Sequence, residues 1–299
     1  MTEATVRTIT ASDGYRLHFR HWQAQQTAEE ENRCRGIIIG LHGIQSHSGW
    51  YVWSAEQLAN AGFDVYFADR RGSGLNEQDR GHADHGLRLI NDVRQLIALA
   101  RHEHSGAAEI PVTLMALSWG AKIGAALTAA FPRETDRLVL LYPGLEPRIG
   151  PTRWQRWQLN MARDFDIRRK SVRIPLGDPA WFTDNPEWQD FIRRDPLALH
   201  QVTSGFLNAG RDLHDILISQ AERIQHPVLA MLAGRDQIID NQRTRERLQT
   251  FGTRRMTIVE YPFATHTLEF DLHRSDFVND LIHWLGAATK KKNESCLTA

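Results

Sequence analysis

Short runs of apolar residues, each followed by a segment of helical periodicity, constrain this chain more than any other feature. Gly36–Leu41 reads GIIIGL, and comparable runs follow in FDVYFAD, PVTLMAL and DRLVLLYPG. A strand with one wet face alternates apolar and polar residues, whereas a run without alternation suits a strand buried on both faces. Helical patterns lie between the runs. GWYVWSAEQLANAG ends on Gly62, a good helix stop, and GLRLINDVRQLIALARHE repeats its apolar residues three and four apart. A third helix begins after Ser118 and ends before Pro132. Strand alternating with helix predicts a mostly parallel central sheet with helices on both faces. The rhythm returns late, as PVLAMLAG, NQRTRERLQTF, RRMTIVEYP and SDFVNDLIHWLGAA. At the N-terminus, TVRTIT and YRLHFRHW flank the turn signal SDG and read as a hairpin.

Between about residues 146 and 226 the rhythm breaks. This stretch holds Trp154, Trp157, Trp181 and Trp188 with Phe165, Phe182, Phe191 and Phe206, and its first part is rich in arginine. It reads as a mostly helical cap inserted after the sixth strand. The expected division is a core domain of residues 1–145 and 227–290, a cap of 146–226, and a disordered tail of 291–299. Aromatic side chains in the cap either form its own small core or line a pocket for an apolar group. Trp154, Trp157, Trp181 and Phe182 are the candidates for substrate contact.

Composition removes several classes of function. Lysine plus arginine balance aspartate plus glutamate at 36 each, so no basic surface favours nucleic acid. The two cysteines, Cys34 and Cys296, argue against a disulfide framework or a thiol metal site. The polar N-terminus lacks the apolar core of a signal peptide, and no apolar run is long enough for an integral membrane segment. A cytoplasmic protein is expected. The run His82–Ala83–Asp84–His85 has no regular element to fix a metal geometry, and no metal or organic cofactor is expected.

Ligand sites of parallel sheets lie at the carboxyl ends of the strands, and suspicious residues sit there. Ser118 follows PVTLMAL directly, with Ala116 two positions before it and Gly120 two after. A sharp strand-to-helix turn exposes a serine hydroxyl above the sheet and needs small neighbours; an ordinary helix-capping serine looks similar. After GIIIGL comes His42–Gly43, opening a loop from which the Ile44 N–H, with that of Trp119, can form a two-donor oxyanion hole. His42 itself reads as a loop-packing histidine. Asp236 follows PVLAMLAG, where a carboxylate can orient a histidine; Asp240 is its rival, placed to cap the next helix. His266 lies in the loop after TIVEYP, whereas His273 and His283 fall in or beside the last helix. The order Ser118, Asp236, His266 is the chain order of a Ser-Asp-His triad on an α/β-hydrolase sheet.

The chain resembles the α/β-hydrolases of the monoacylglycerol lipase and lysophospholipase type, grouped with the serine aminopeptidases. The resemblance runs through DGYRLHFRHW, HGIQSHSGWY, FADRRGSGLN, the elbow, RIPLGDPAWFTDNPEW, GRDQIID and THTLEF. It implies catalysis by Ser118, Asp236 and His266, with oxyanion N–H groups from Ile44 and Trp119. It also implies hydrolysis of a small-molecule ester without a cofactor, and the aromatic cap suggests an apolar acyl or aromatic group on that ester. Ala116 departs from the usual glycine, which is expected to alter the packing of the elbow slightly, and Trp119 is bulkier than usual. S-W-G at the elbow also resembles proline iminopeptidases, although HGIQS stands where those carry an HGGPG-like loop. Acyl transfer to an acceptor other than water, and a binding or receptor scaffold with little turnover, are the remaining alternatives. Oligomeric state is not legible.

Overall fold

The computed structural model describes residues 3–25, 34–105, 110–148, 161 and 167–296, with side chains described as far as residue 287. Its strands and helices follow the sequence rhythm. β1 (Thr5–Thr10) and β2 (Arg16–Trp22) form the antiparallel hairpin. Its turn passes through Gly14 at φ +83°, a conformation a β-carbon disfavours. β3 (Gly36–Leu41), α1 (Val52–Asn60), β4 (Phe63–Ala68), α2 (Gly86–Glu103), β5 (Val112–Leu117), α3 (Gly120–Ala130) and β6 (Arg137–Leu141) alternate as expected. After the intervening segment come β9 (Val228–Ala233), a short helix Asn241–Leu248, β10 (Met256–Tyr261) and a helix Arg274–Cys296. The eight-stranded sheet has the order β1-β2-β4-β3-β5-β6-β9-β10. β1, β2 and β4 pair antiparallel, and every pairing from β4 to β10 is parallel.

Strict alternation within the buried strands feeds two separate cores. Ile37, Ile39, Leu114, Ala116, Leu138 and Leu140 pack on one face, against α2 and α3. Ile38, Met115, Leu117, Val139, Leu141 and Met231 pack on the other, against α1 and the last helix. Both faces are covered, so both sets of side chains are apolar and the strands read as unbroken runs.

Between β6 and β9 the described chain holds helices and one small sheet. β7 (Ser171–Arg173) and β8 (Gln201–Thr203) form a small antiparallel sheet of their own. Three-residue strands are too short to show a period. α4 (Pro186–Arg194) starts with Asn185 as its cap and proline in its first turn. α5 (Ser204–Gln220) is capped by Thr203 and buries Phe206, Ala209, Leu213 and Leu217 in the same core as α2 and α3. The two remaining helices are α6 (Asn241–Leu248) and α7 (Arg274–Cys296). α7 runs on through residues 291–296, part of the tail expected from sequence to be disordered. Its last turns contain no glycine or proline after Gly286, so nothing local stops the helix. Among the described residues no helix is long and apolar enough to cross a membrane.

Candidate active site

β5 ends at Leu117 and α3 begins at Gly120, so the chain reverses within two residues. Ser118 takes φ +48°, the left-handed region that costs a residue with a β-carbon of order 1 kcal/mol. The surroundings hold it there. Its N–H donates to the Leu141 carbonyl at 3.0 Å, and its carbonyl accepts from Ala121 at 3.0 Å and Gly144 at 2.8 Å. Small residues make the turn possible. A β-carbon on Gly120 would lie 2.6 Å from the carbonyl oxygens of Leu41 and His42. The methyl group of Ala116, which stands where the resemblance expects glycine, is accommodated from across the helix. A β-carbon on Gly124 of α3 would meet the Ala116 β-carbon at 2.7 Å. The absence of a side chain at Gly124 leaves room for that methyl group.

Asp236 and His266 come from the turns after β9 and β10. One carboxylate oxygen of Asp236 accepts the N–H groups of Ile238 and Ile239 at 2.8 and 2.9 Å. The other meets Nδ1 of His266 at 2.7 Å. Nε2 of His266 lies 2.9 Å from Oγ of Ser118. A carboxylate only accepts, so the imidazole proton sits on Nδ1 and Nε2 offers its lone pair to the hydroxyl. Asp236 and His266 are buried, and Ser118 is half-buried. The rival residues are elsewhere engaged. Asp240 caps α6 through the Arg243 N–H at 3.1 Å, and His273 and His283 are exposed.

The loop after β3 is tied down from several sides. Ser46 Oγ accepts the Gly43 N–H at 3.0 Å. His42 donates from Nδ1 to the Gly43 carbonyl at 2.8 Å, and its Nε2 accepts the Arg70 N–H at 2.9 Å. Burial, reinforced by the Arg70 charge, holds His42 well below its usual pKa, so the ring is neutral. That fits a loop-packing histidine. Among the described residues, no backbone acceptor takes the N–H of Ile44 or Trp119.

The segment that sequence marks as cap touches this constellation directly. Phe182 is buried, with its ring edge-on to His266 at 5.9 Å; Tyr142 lies edge-on at 4.9 Å. The Thr267 N–H donates to the Phe182 carbonyl at 2.8 Å. Trp181 is half-buried, and Trp154 and Trp157 lie outside the described residues. A second tie joins the loop after β3 to the end of α4. Asp195 accepts from Nε2 of His47 at 2.9 Å and from the Trp50 indole at 2.6 Å, and the Leu199 N–H donates to the Gln45 carbonyl at 2.9 Å. The sequence reading missed Asp195, Arg70, Tyr142 and Ser46 as neighbours of the site. His82 is engaged by Thr203 and Asp84, and His85 caps α2. Among the described residues no group of three His, Cys, Asp or Glu side chains is arranged to hold a metal.

Residues 32–273 match the family model described as serine aminopeptidase, S33. The chain is 23% identical over 254 residues to a monoacylglycerol lipase of Mycolicibacterium smegmatis, covering 84% of this chain and 88% of that one. It is 22% identical over 300 residues to the human monoglyceride lipase, covering 97% and 92%. Among solved structures, the Paleococcus ferrophilus monoacylglycerol lipase superposes with a TM-score of 0.76 at 22% identity, over 90% of this chain and 98% of that one. A thermostable carboxyl esterase from Bacillus coagulans superposes with a TM-score of 0.81 at 15% identity, over 97% and 100%. At these identities the superpositions speak for a shared fold.

Proposed function

The chain belongs to the serine aminopeptidase S33 family of α/β-hydrolases, and from that premise we propose that it hydrolyses carboxylic esters through Ser118, His266 and Asp236. The observation that carries the reading is the relay itself: a strained, half-buried serine 2.9 Å from Nε2 of a histidine whose Nδ1 is 2.7 Å from a buried carboxylate. A serine hydroxyl is a poor nucleophile without an adjacent base, and this arrangement supplies one. His266 takes the Ser118 proton as Oγ attacks the ester carbonyl. Asp236 stabilises the resulting imidazolium without itself taking the proton. The N–H groups of Ile44 and Trp119 receive the oxyanion, each contributing roughly 3 kcal/mol. His266 then protonates the departing alcohol, and water repeats the sequence on the acyl-enzyme. No step needs a metal or an organic cofactor.

The substrate class is the monoacylglycerol or small ester of the relatives' names, or the lysophospholipid that the sequence resemblance adds, with an apolar acyl group lying under Phe182 and Trp181. A cytoplasmic location belongs to the same proposal. The test is turnover of p-nitrophenyl esters of increasing acyl length and of 1-monoacylglycerols, wild type beside Ser118→Ala. Turnover that collapses in the variant supports the reading. Equal trace activity in both rejects it, and cleavage of aminoacyl p-nitroanilides in preference to esters would favour a peptidase.

A further inference from the structure

Arg70 is a buried cation, 7% exposed, and among the described residues no carboxylate stands within ion-pair distance of its guanidinium. Its Nη1 donates to the Gly43 carbonyl at 2.8 Å and its Nη2 to the Ile44 carbonyl at 3.0 Å. Its backbone N–H holds His42, which donates to the same Gly43 carbonyl. The guanidinium also lies over two aromatic rings, 5.0 Å from the centroid of Trp119 and 4.9 Å from that of Phe206, which are themselves stacked at 4.5 Å.

The Gly43 carbonyl and the Ile44 N–H belong to one planar trans peptide and point in opposite directions. Two donors on the carbonyl therefore fix where the N–H points. The second N–H of the oxyanion pair belongs to Trp119, whose ring the same guanidinium covers. A group that only filled space here would not need charge. Burying a guanidinium against neutral partners is unfavourable, and among the described residues Nε has no hydrogen-bond partner, so the two carbonyl contacts of Nη1 and Nη2 carry the compensation.

We infer that Arg70 is a positioning residue for the oxyanion hole, aiming the Ile44 N–H through the Gly43 carbonyl and bracing Trp119 through its ring. The inference rests on the ester-hydrolase reading, because it takes these N–H groups as the receivers of the oxyanion. Arg70 touches no reacting atom. Its effect is confined to the transition state, where the oxyanion exists. The planar fork matters as well as the charge, since lysine reaches one carbonyl with a point charge and does not span two.

Arg70→Met and Arg70→Lys test this, with three readouts. The first is the split between kcat and KM on a p-nitrophenyl ester. The second is affinity for a trifluoromethyl ketone, which forms a tetrahedral adduct on Ser118. The third is the amide nitrogen resonance of Ile44, which reports hydrogen bonding at the Gly43 carbonyl whether or not the enzyme turns over. The expected result is kcat lower by about 10- to 100-fold with KM within about threefold, ketone affinity falling in parallel, and a displaced Ile44 resonance. Should Arg70→Met fail to fold, Arg70→Lys carries the same comparison. The inference is overturned if a folded variant keeps kcat within about twofold of wild type, if ketone affinity does not follow kcat, or if the Ile44 resonance stays in place. If wild type and Ser118→Ala share the same trace activity, the ester reading fails on its own. The Ile44 resonance then still decides what Arg70 does.

Discussion

Two aspartate–histidine pairs with buried side chains lie near the candidate site, and one of them reaches a serine hydroxyl. In Asp236–His266 the carboxylate holds Nδ1 and the free Nε2 faces Ser118 Oγ. In Asp195–His47 the carboxylate holds Nε2, and the remaining Nδ1 is occupied by the Gly49 N–H at 3.0 Å. The chemistry of each pair is nearly the same, but the far nitrogen differs. A base needs a lone pair aimed at a proton it can take, and His47 has already committed its own to a backbone amide. His47 is thereby a fastener between the loop after β3 and the segment after α4, whereas Nε2 of His266 keeps its lone pair facing the Ser118 hydroxyl. An aspartate–histidine contact is thus weak grounds for assigning catalysis until the second nitrogen is accounted for.

Activity separates the two pairs most widely. Asp236→Asn should lower kcat by about 10⁴-fold by presenting the wrong imidazole tautomer, whereas Asp195→Asn should lower it by less than about tenfold. Steady-state ester kinetics on the two variants decide this, and losses of similar size would erase the distinction drawn here.

A third buried carboxylate, Glu269, has no imidazole partner among the described residues. Glu269 accepts the Ser54 N–H at 3.0 Å, its other oxygen has no hydrogen-bond partner among the described residues, and burial pushes its pKa from 4.5 up to about 7. A carboxyl whose folded pKa is raised favours the folded state while protonated. Its contribution is therefore full below about pH 4.5 and is lost as pH rises toward 7. The loss amounts to about 3 kcal/mol for this shift. Thermal unfolding of wild type and Glu269→Gln between pH 5 and 8 should show the wild type falling relative to the variant. Parallel curves would remove Glu269 from the argument.

Asp195 behaves in the opposite sense. Burial pushes its pKa up, but hydrogen bonds from His47 and Trp50 outweigh it and hold the carboxyl below its usual value. Its stabilisation is present above the ordinary aspartate range and fades as pH drops through its own lower pKa. Asp195→Asn should cost about 2 kcal/mol at pH 7 by weakening two charge-assisted hydrogen bonds, measured by denaturant unfolding. The smallest expected effect is Trp50→Phe, which removes one donor and keeps the ring. It should cost about 1 kcal/mol and leave kcat within about twofold. A larger loss of turnover would mean that the fastener also shapes the reaction.

The sheet was legible because double burial removes polar residues from the strands, and that signal is strong in Gly36–Leu41 and Val112–Leu117. The small β7–β8 sheet escaped notice because its strands are three residues each. The elbow was legible because its constraints are local: a serine between small residues at a strand end. Asp236 and His266 followed from chain order and strand ends. Arg70 and Asp195 were not legible, for a physical reason. The carbonyls that Arg70 holds lie 26 and 27 residues before it, and the partners of Asp195 lie 145 and 148 residues before it. No local pattern encodes such meetings. Gly124 belongs with them, since its lack of a side chain answers to Ala116 on another element.

The left-handed backbone of Ser118 has a consequence for how such a chain evolves. Glycine would occupy φ +48° without the penalty that serine bears there. Random drift filtered only for abundance or heat resistance would therefore tolerate, and even enrich, a molecule with no nucleophile. Under the proposed function, backbone ease and turnover therefore pull this one position in opposite directions.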